Sequence, residues 1–424
     1  MSRSREPQTT RSSARTDPDR RRLRYEVHSA LGALAGVLLF VVSYTGVVSL
    51  FRGELDLWSH PSRQTREAAP GSRAIDADYV LRALEQSDRV GASVLIRFPE
   101  VAHGAFEAVT QLPGAQRIAR LRFDPDAGRE TPPLAHDMAG AIFRLHGYLL
   151  FPGSAGRYFV GVLGLVMLAS IWTGLRVRRH LMRDVLRRPR TRRLRLFTTD
   201  VHRVLGVWVM PFHVLIALTG VYVGVRGLAL MPAALGRFDG DVARTQAALG
   251  VAPEVRERPT GGERPQLDDL IAAARREVPG IEPNAILVQR LDEPTGQIVV
   301  MGQIRDAPLL PKHEAVRVVF SSADGGRLGV LNAVDSALAL RVYHAMAPLH
   351  FGEYAGAATR SIYAVLGLTT ALLAFSGTLV WSERRRREPA EVDDAEEASL
   401  VAGRSAHRAT AATRKEDGTT SQRA

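Results

Sequence analysis

Histidines at matched spacings are the residues of this chain best placed for chemistry. His28 is followed by Gly32 at four residues and by Thr45-Gly46 at seventeen and eighteen. His202 is followed by Gly206 and Thr219-Gly220 at the same distances. A second pair of segments aligns Arg157, Gly164 and Gly174 with Arg360, Gly367 and Gly377. Upstream of them stand Leu145-His146 and Leu349-His350, one residue different in spacing. The repeat sets His28 level with His202, and His146 level with His350. Two imidazoles at one depth on adjacent helices supply both axial ligands of a b-type haem, whose porphyrin provides the other four nitrogens. One pair near each face of a bilayer, hence two haems, gives electrons a route across it. Glycines at small-xxx-small spacing, such as Gly32 and Gly36, let the helices come close.

Two further histidines lie near these pairs. His213 falls mid-span, about three helical turns beyond His202 and on nearly the same face; an intramembrane ionisable group reads as functional, in an outer haem site or a proton path. Its counterpart in the first half is Leu39, so the repeat does not support it. His344 is an alternative to His350 as ligand. A divalent-metal site from His146, His344, His350 and Glu353 is a weaker reading, since no tight ligand spacing accompanies it. His60 and His103 have no counterparts.

The elements that carry these residues are four apolar runs, Val27–Leu50, Tyr158–Leu175, Val204–Val225 and Ser361–Ser382, none containing Asp, Glu, Lys or Arg. About 20 helical residues cross the hydrocarbon core, and the short second run is flanked by Arg157 and Arg176, whose stems reach the interfaces. Arg20, Arg21, Arg22 and Arg24 precede the first run, ten arginines lie between Arg176 and Arg195, and Arg384 to Arg387 follow the fourth. All three clusters share one side if each run crosses once, and the positive-inside rule makes that side cytoplasmic, with both termini there. Tyr222, Trp172 and Trp381 fall at span ends as interface anchors. Pro211 predicts a kink in the third span.

The resulting organisation is a tail over 1–24, spans over 25–51, 156–176, 203–226 and 356–382, an Arg-rich loop over 177–202, outer modules over 52–155 and 227–355, and a tail over 383–424. Both tails are polar and aperiodic, the composition of disordered chain. The first run exceeds a secretory signal's apolar core and reads as a retained anchor. Each outer module is α+β. The first has a helix from Ala77 to about Gln86 and strands near Ser93–Phe98, Ala105–Val109 and Ile118–Phe123. The second has a helix over Asp268–Val278 and strands over Ile286–Leu291, Gln297–Gly302 and Ala315–Phe320. The fold class is therefore a membrane α-helical protein, four transmembrane helices from an internal duplication with two extracytoplasmic α+β modules.

Composition narrows the chemistry. In 424 residues there are 56 Lys+Arg against 44 Asp+Glu, a net charge of +12, and the mean hydropathy is near zero. The basic excess sits where topology needs it, which argues against nucleic acid as a partner and for the lipid bilayer. There is no cysteine, which excludes disulfides, iron–sulfur clusters, thiolate zinc and c-type haem attachment. No flavin or nucleotide motif is visible, so an electron donor must be another molecule.

The segments V-H-S-A-L-G (Val27–Gly32) with Thr45-Gly46 and V-H-R-V-L-G (Val201–Gly206) with Thr219-Gly220 resemble the PepSY-associated transmembrane family. So do Leu145-His146, Leu349-His350-Phe351-Gly352, Thr173-Gly174-Leu175, and Ser376-Gly377 followed by Trp381 and arginines. That family includes iron-regulated inner-membrane proteins and ferric-siderophore reductases, and the outer modules resemble PepSY domains. The resemblance implies haem among the spans and reduction of a ferric chelate at the periplasmic face for iron uptake, with electrons from a quinol or a cytoplasmic reductase. It also leaves a second reading, a membrane anchor whose PepSY modules bind a peptide, protease or transporter partner.

Overall fold

A computed structural model describes residues 18–59, 76–99, 105–111, 118–124, 129–131, 138–177, 189–191, 193–237, 264–291, 293–304, 315–354 and 356–385. Most of both expected tails, with His60 and His103, lies outside the described residues.

Among the described residues three helices are long and apolar enough to cross a membrane: α1 (Pro18–Ser49), α5 (Gly153–Val177) and α10 (Ala357–Arg385). The third apolar run is not one helix. It divides into α6 (Leu194–Trp208) and α7 (Met210–Arg237), which make a fourth span only if the bent pair is counted as one. Pro211 explains the break, since it has no N–H for the carbonyl four residues back and its ring crowds that carbonyl. The helices extend beyond the apolar runs: α1 covers residues 18–24, α6 begins at Leu194 and α7 continues past Val225.

The chain forms two compact units. The first comprises Met1–Val37, Ala169–Trp208 and Leu372–Ala424; the second comprises Leu38–Leu168 and Val209–Ala371. The first is built of helix segments. Its Asp200, 2 % exposed, receives the guanidinium of Arg190 at 2.8 and 3.1 Å and so fixes the chain just ahead of His202.

The second unit holds all the strands among the described residues: β1 (Ser93–Arg97), β2 (Phe106–Gln111), β3 (Ile118–Asp124), β4 (Arg129–Thr131), β5 (Ile281–Gln289), β6 (Gln297–Ile304), β7 (Val316–Ser321) and β8 (Arg327–Asn332). The two outer modules expected from the sequence are not separate sheets. One antiparallel sheet runs β4-β3-β2-β1-β5-β6-β7-β8, joined where Val94 pairs with Val288, Leu95 with Leu287 and Ile96 with Ile286. Alternation explains the shared face. Val94, Ile96, Ile286, Val288, Ile298, Val300, Val316 and Val318 all point to one side, where they bury α3 (Ala77–Gln86) through Val80, Leu81 and Leu84 and α8 (Leu267–Glu277) through Leu267, Leu270 and Ala274. A one-residue slip in any strand would turn that face outward.

Short helices tie this unit together. In α2 (Arg52–Ser59), Asp56 accepts from Arg122 of β3 at 2.7 Å, while Arg52 lies over the ring of Phe143 in α4 (Met138–Tyr148). Helix α9 (Leu338–Phe351) packs along α7, with Tyr343 edge-on to Tyr222. The sequence reading missed α4 and α9 as helices, although they carry His146 and His350. Gly352, at φ 69°, ends α9 in the left-handed conformation that glycine adopts without cost.

Two helix starts meet above the sheet. Asp76 caps α3 by accepting from the Tyr79 N–H at 2.7 Å. Gln266, at the start of α8, makes no side-chain cap. Instead the carboxylate of Asp78 in α3 accepts from the N–H groups of Leu267 and Asp268 at 2.8 and 3.0 Å. Burial pushes the Asp268 carboxyl up to about 7, helped by the charges of Asp76 and Asp78 and by hydrogen bonds to both. A raised pKa means that the folded chain holds a proton the unfolded chain releases. The associated stability is present below the ordinary carboxylate range and is lost as pH rises through about 7. Asp268→Asn keeps a donor toward Asp78 and cannot ionise. It should flatten the pH dependence of the thermal midpoint of the full chain and raise that midpoint above wild type at about pH 8. A variant that tracks wild type across this range would show the carboxyl cluster to be silent.

Candidate haem-binding histidine pairs

Each of the four paired histidines rests in the same kind of seat on a neighbouring helix. In the first unit, His28 Nδ1 lies 2.9 Å from the Ser170 carbonyl oxygen and 3.3 Å from Thr173 Oγ1. A Cβ placed on Gly174 would stand 2.9 Å from His28 Cε1. His202 Nδ1 lies 3.1 Å from the Leu373 carbonyl and 3.0 Å from Ser376 Oγ, and a Cβ on Gly377 would stand 3.0 Å from its Cε1. In the second unit, His146 Nδ1 lies 2.8 Å from the Val42 carbonyl, over Gly46, where a Cβ would come within 2.8 Å of Cε1. His350 Nδ1 lies 3.0 Å from Thr219 Oγ1 with a further hydrogen bond to the Ile216 backbone, over Gly220 at 3.2 Å.

The common geometry is a glycine, a hydroxyl residue before it, and the carbonyl four residues before the glycine. In a helix that carbonyl sits beside the Cβ of the residue one turn on, so only glycine opens it to an incoming ring. The hydroxyl hydrogens are committed within their own helices: Thr45 to Val41, Thr173 to Ala169, Thr219 to Leu215 and Ser376 to Leu373. A carbonyl oxygen can only accept, so Nδ1 carries the proton and donates. Nε2 is then the nitrogen with the lone pair, the arrangement that orients a histidine toward a metal.

The seats bring the rings together in pairs. The His28 and His202 centroids are 6.4 Å apart at an interplanar angle of 61°; those of His146 and His350 are 6.0 Å apart at 25°. A direct imidazole–imidazole hydrogen bond of about 2.9 Å would set centroids about 5 Å apart. A metal bonded to one nitrogen of each ring at about 2 Å, with roughly 1 Å from that nitrogen to the centroid, gives about 6 Å. The spacing and the donor set therefore fit an iron held between two neutral imidazoles. Burial lowers the pKa of His146 and is the main cause that lowers that of His350 to about 3, which favours the neutral form of each ring, the form that binds metal.

The other two candidates stand apart from these pairs. His213, in α7, is fully buried, with Nε2 3.4 Å from Thr369 Oγ1 and Nδ1 lacking a hydrogen-bond partner. His344, in α9, lies edge-on to Tyr343 with Nε2 buried and unpartnered; burial, then the charge of Arg317, pushes it down to about 4. Among the described residues no three His, Asp or Glu side chains gather as a metal site. What sequence reasoning missed is the acceptor half of each seat. The Thr-Gly and Ser-Gly pairs are visible as markers of a repeat, but backbone carbonyls carry no residue signature.

Residues 25–384 match the family described as PepSY-associated TM region. The chain belongs to this family. Its sequence is also similar to the uncharacterized protein PA4219 of Pseudomonas aeruginosa, 29 % identical over 247 residues, which cover 57 % of this chain and 62 % of that relative. All four histidine seats lie inside the PepSY-associated TM match.

Adding a methyl to a seat should displace its ring. Gly46→Ala, Gly174→Ala and Gly377→Ala each force a contact tighter than van der Waals, and should each lower stability by about 1–3 kcal/mol. Gly32→Ala meets nothing within 4 Å and should be neutral or stabilising by about 0.5–1 kcal/mol. Thermal unfolding of the detergent-solubilised protein measures the difference; equal effects at Gly32 and Gly46 would contradict the seat.

Proposed function

We propose that this PepSY-associated TM protein is a multi-pass protein of the bacterial inner membrane that carries two b-type haems and passes electrons to Fe(III)-siderophores or other ferric chelates at the periplasmic face. The observation that supports it most is the spacing of two imidazole pairs whose Nδ1 hydrogens are all committed to helix acceptors. In this reading the chain arose by duplication, its four spans leave both termini in the cytoplasm, and the sheet is periplasmic. Haem bound between such rings supplies one-electron transfer.

The protein's own residues do three things. The carbonyl and hydroxyl seats fix each imidazole by its Nδ1 hydrogen and keep Nε2 directed at the metal position. In a bilayer the apolar spans around the pairs would keep water from them. The placement of the pairs toward opposite ends of the spans in sequence separates a donor side, served by a quinol or a cytoplasmic reductase, from an acceptor side. One electron per ferric ion suffices, and reduction loosens the chelate because hard oxygen ligands hold Fe(II) less tightly than Fe(III).

Purified protein expressed with ample haem should be red, and acidified organic solvent should extract all the pigment, since no cysteine can tether it. Sharp reduced-state bands of low-spin iron are expected. His28→Ala and His202→Ala should each remove about half the haem, and their double mutant should lose little more, because a ligand pair acts as a unit. His146→Ala and His350→Ala should resemble each other and stop delivery of electrons to an external ferric chelate. Colourless wild-type protein would favour the anchor reading, in which the outer strands serve a protein partner.

A further inference from the structure

Two arginines occupy matching places at the starts of α5 and α10. Arg360 pairs with Glu54 at 2.6 Å, reaches the Leu50 carbonyl at 3.5 Å and lies over the ring of Phe51. Leu50 in turn donates its N–H to the carbonyl of Gly46, the glycine beneath His146. Arg157 stands likewise beside α7. Its backbone oxygen is 3.1 Å from the Cβ position of Gly224, one turn beyond Gly220, the glycine beneath His350. Arg360 through its side chain and Arg157 through its backbone therefore each lie about one helical turn from a seat of the outer histidine pair.

They differ in charge balance. Counted from His202 as Glu54 is from His28, the matching residue is Leu228, which has no carboxylate. Arg157 is half-buried over the Tyr158 ring, its Nε is enclosed without a hydrogen-bond partner, and among the described residues no carboxylate pairs with it. A guanidinium whose Nε is enclosed and unpartnered is costly, and an anion brought to it offsets that cost.

We infer that Arg157 receives a carboxylate of the ligand held between His146 and His350, while Glu54 has already neutralised Arg360. This rests on the haem reading above, in which the carboxylate is a propionate; planar, two-pronged recognition of a carboxylate is what a guanidinium does best.

The test uses haem-depleted full-length protein titrated with protohaem and with its dimethyl ester, whose propionates carry no charge. Arg157→Gln should weaken one of the two binding phases for protohaem about tenfold. With the ester, wild type and Arg157→Gln should bind alike, and Arg157→Lys should recover part of the lost protohaem affinity. Equal loss for both porphyrins would make Arg157 a packing residue. No loss for either would overturn the inference. If wild type binds both porphyrins and only the Arg157 comparison fails, the histidine assignment stands. Wild type that binds neither overturns both.

Discussion

An imidazole buried among helices must place its N–H on an acceptor, and nearly every backbone carbonyl there is already engaged in its own helix. The four seats meet this constraint with the second lone pair of a helix carbonyl, exposed by the absence of one Cβ. Each seat fixes three things together: the closeness of two helices, the tautomer of a histidine and the direction of its remaining nitrogen. The apolar surroundings make the arrangement stringent, because an N–H that misses its acceptor finds no water in exchange. Ring separations near 6 Å follow from where the seats lie.

The second unit shows how much structure stands behind one such pair. His146 and His350 ride on short helices rather than on spans, and those helices are held from above. Arg122 grips Asp56, Arg52 covers Phe143, and α9 is locked along α7 through Tyr343 and Tyr222. The sheet thus acts as a brace for the helices that deliver the rings. Asp78 extends the brace by capping a helix far from it in sequence, a contact that links the two strand groups independently of the sheet.

Much of this was legible in the sequence. Uncharged apolar runs gave the membrane helices, spacing gave the histidine pairs, and apolar-rich stretches between turn-like breaks gave six of the eight described strands to within a few residues. Strands β4 and β8 were missed, being short or only half-buried. The fusion of the strand groups was also invisible. Leu95 facing Leu287 is an edge-to-edge match, and nothing local distinguishes an edge that pairs from one that stays open. The break at Val209 was foreshadowed by Pro211, although a kinked span was expected and two helices were found. His213 and His344 were singled out for their position, and the structure gives each an unpartnered nitrogen without joining either to a pair.

The seam between β1 and β5 also has a meaning for biogenesis. Its two strands are separated in the chain by every element from β2 to α8, so during synthesis β1 emerges long before its partner exists. Until then it offers an open row of N–H and C=O groups flanked by Val94, Leu95 and Ile96, the kind of edge that recruits foreign strands. Among the described residues the outermost strands of the finished sheet are β4, only three residues long with Arg129 and Glu130, and β8, where Gly329 and a register shift interrupt the ladder. Closing the seam late therefore exchanges a sticky edge for two blunt ones, and a chain halted before β5 is left with the sticky edge uncovered.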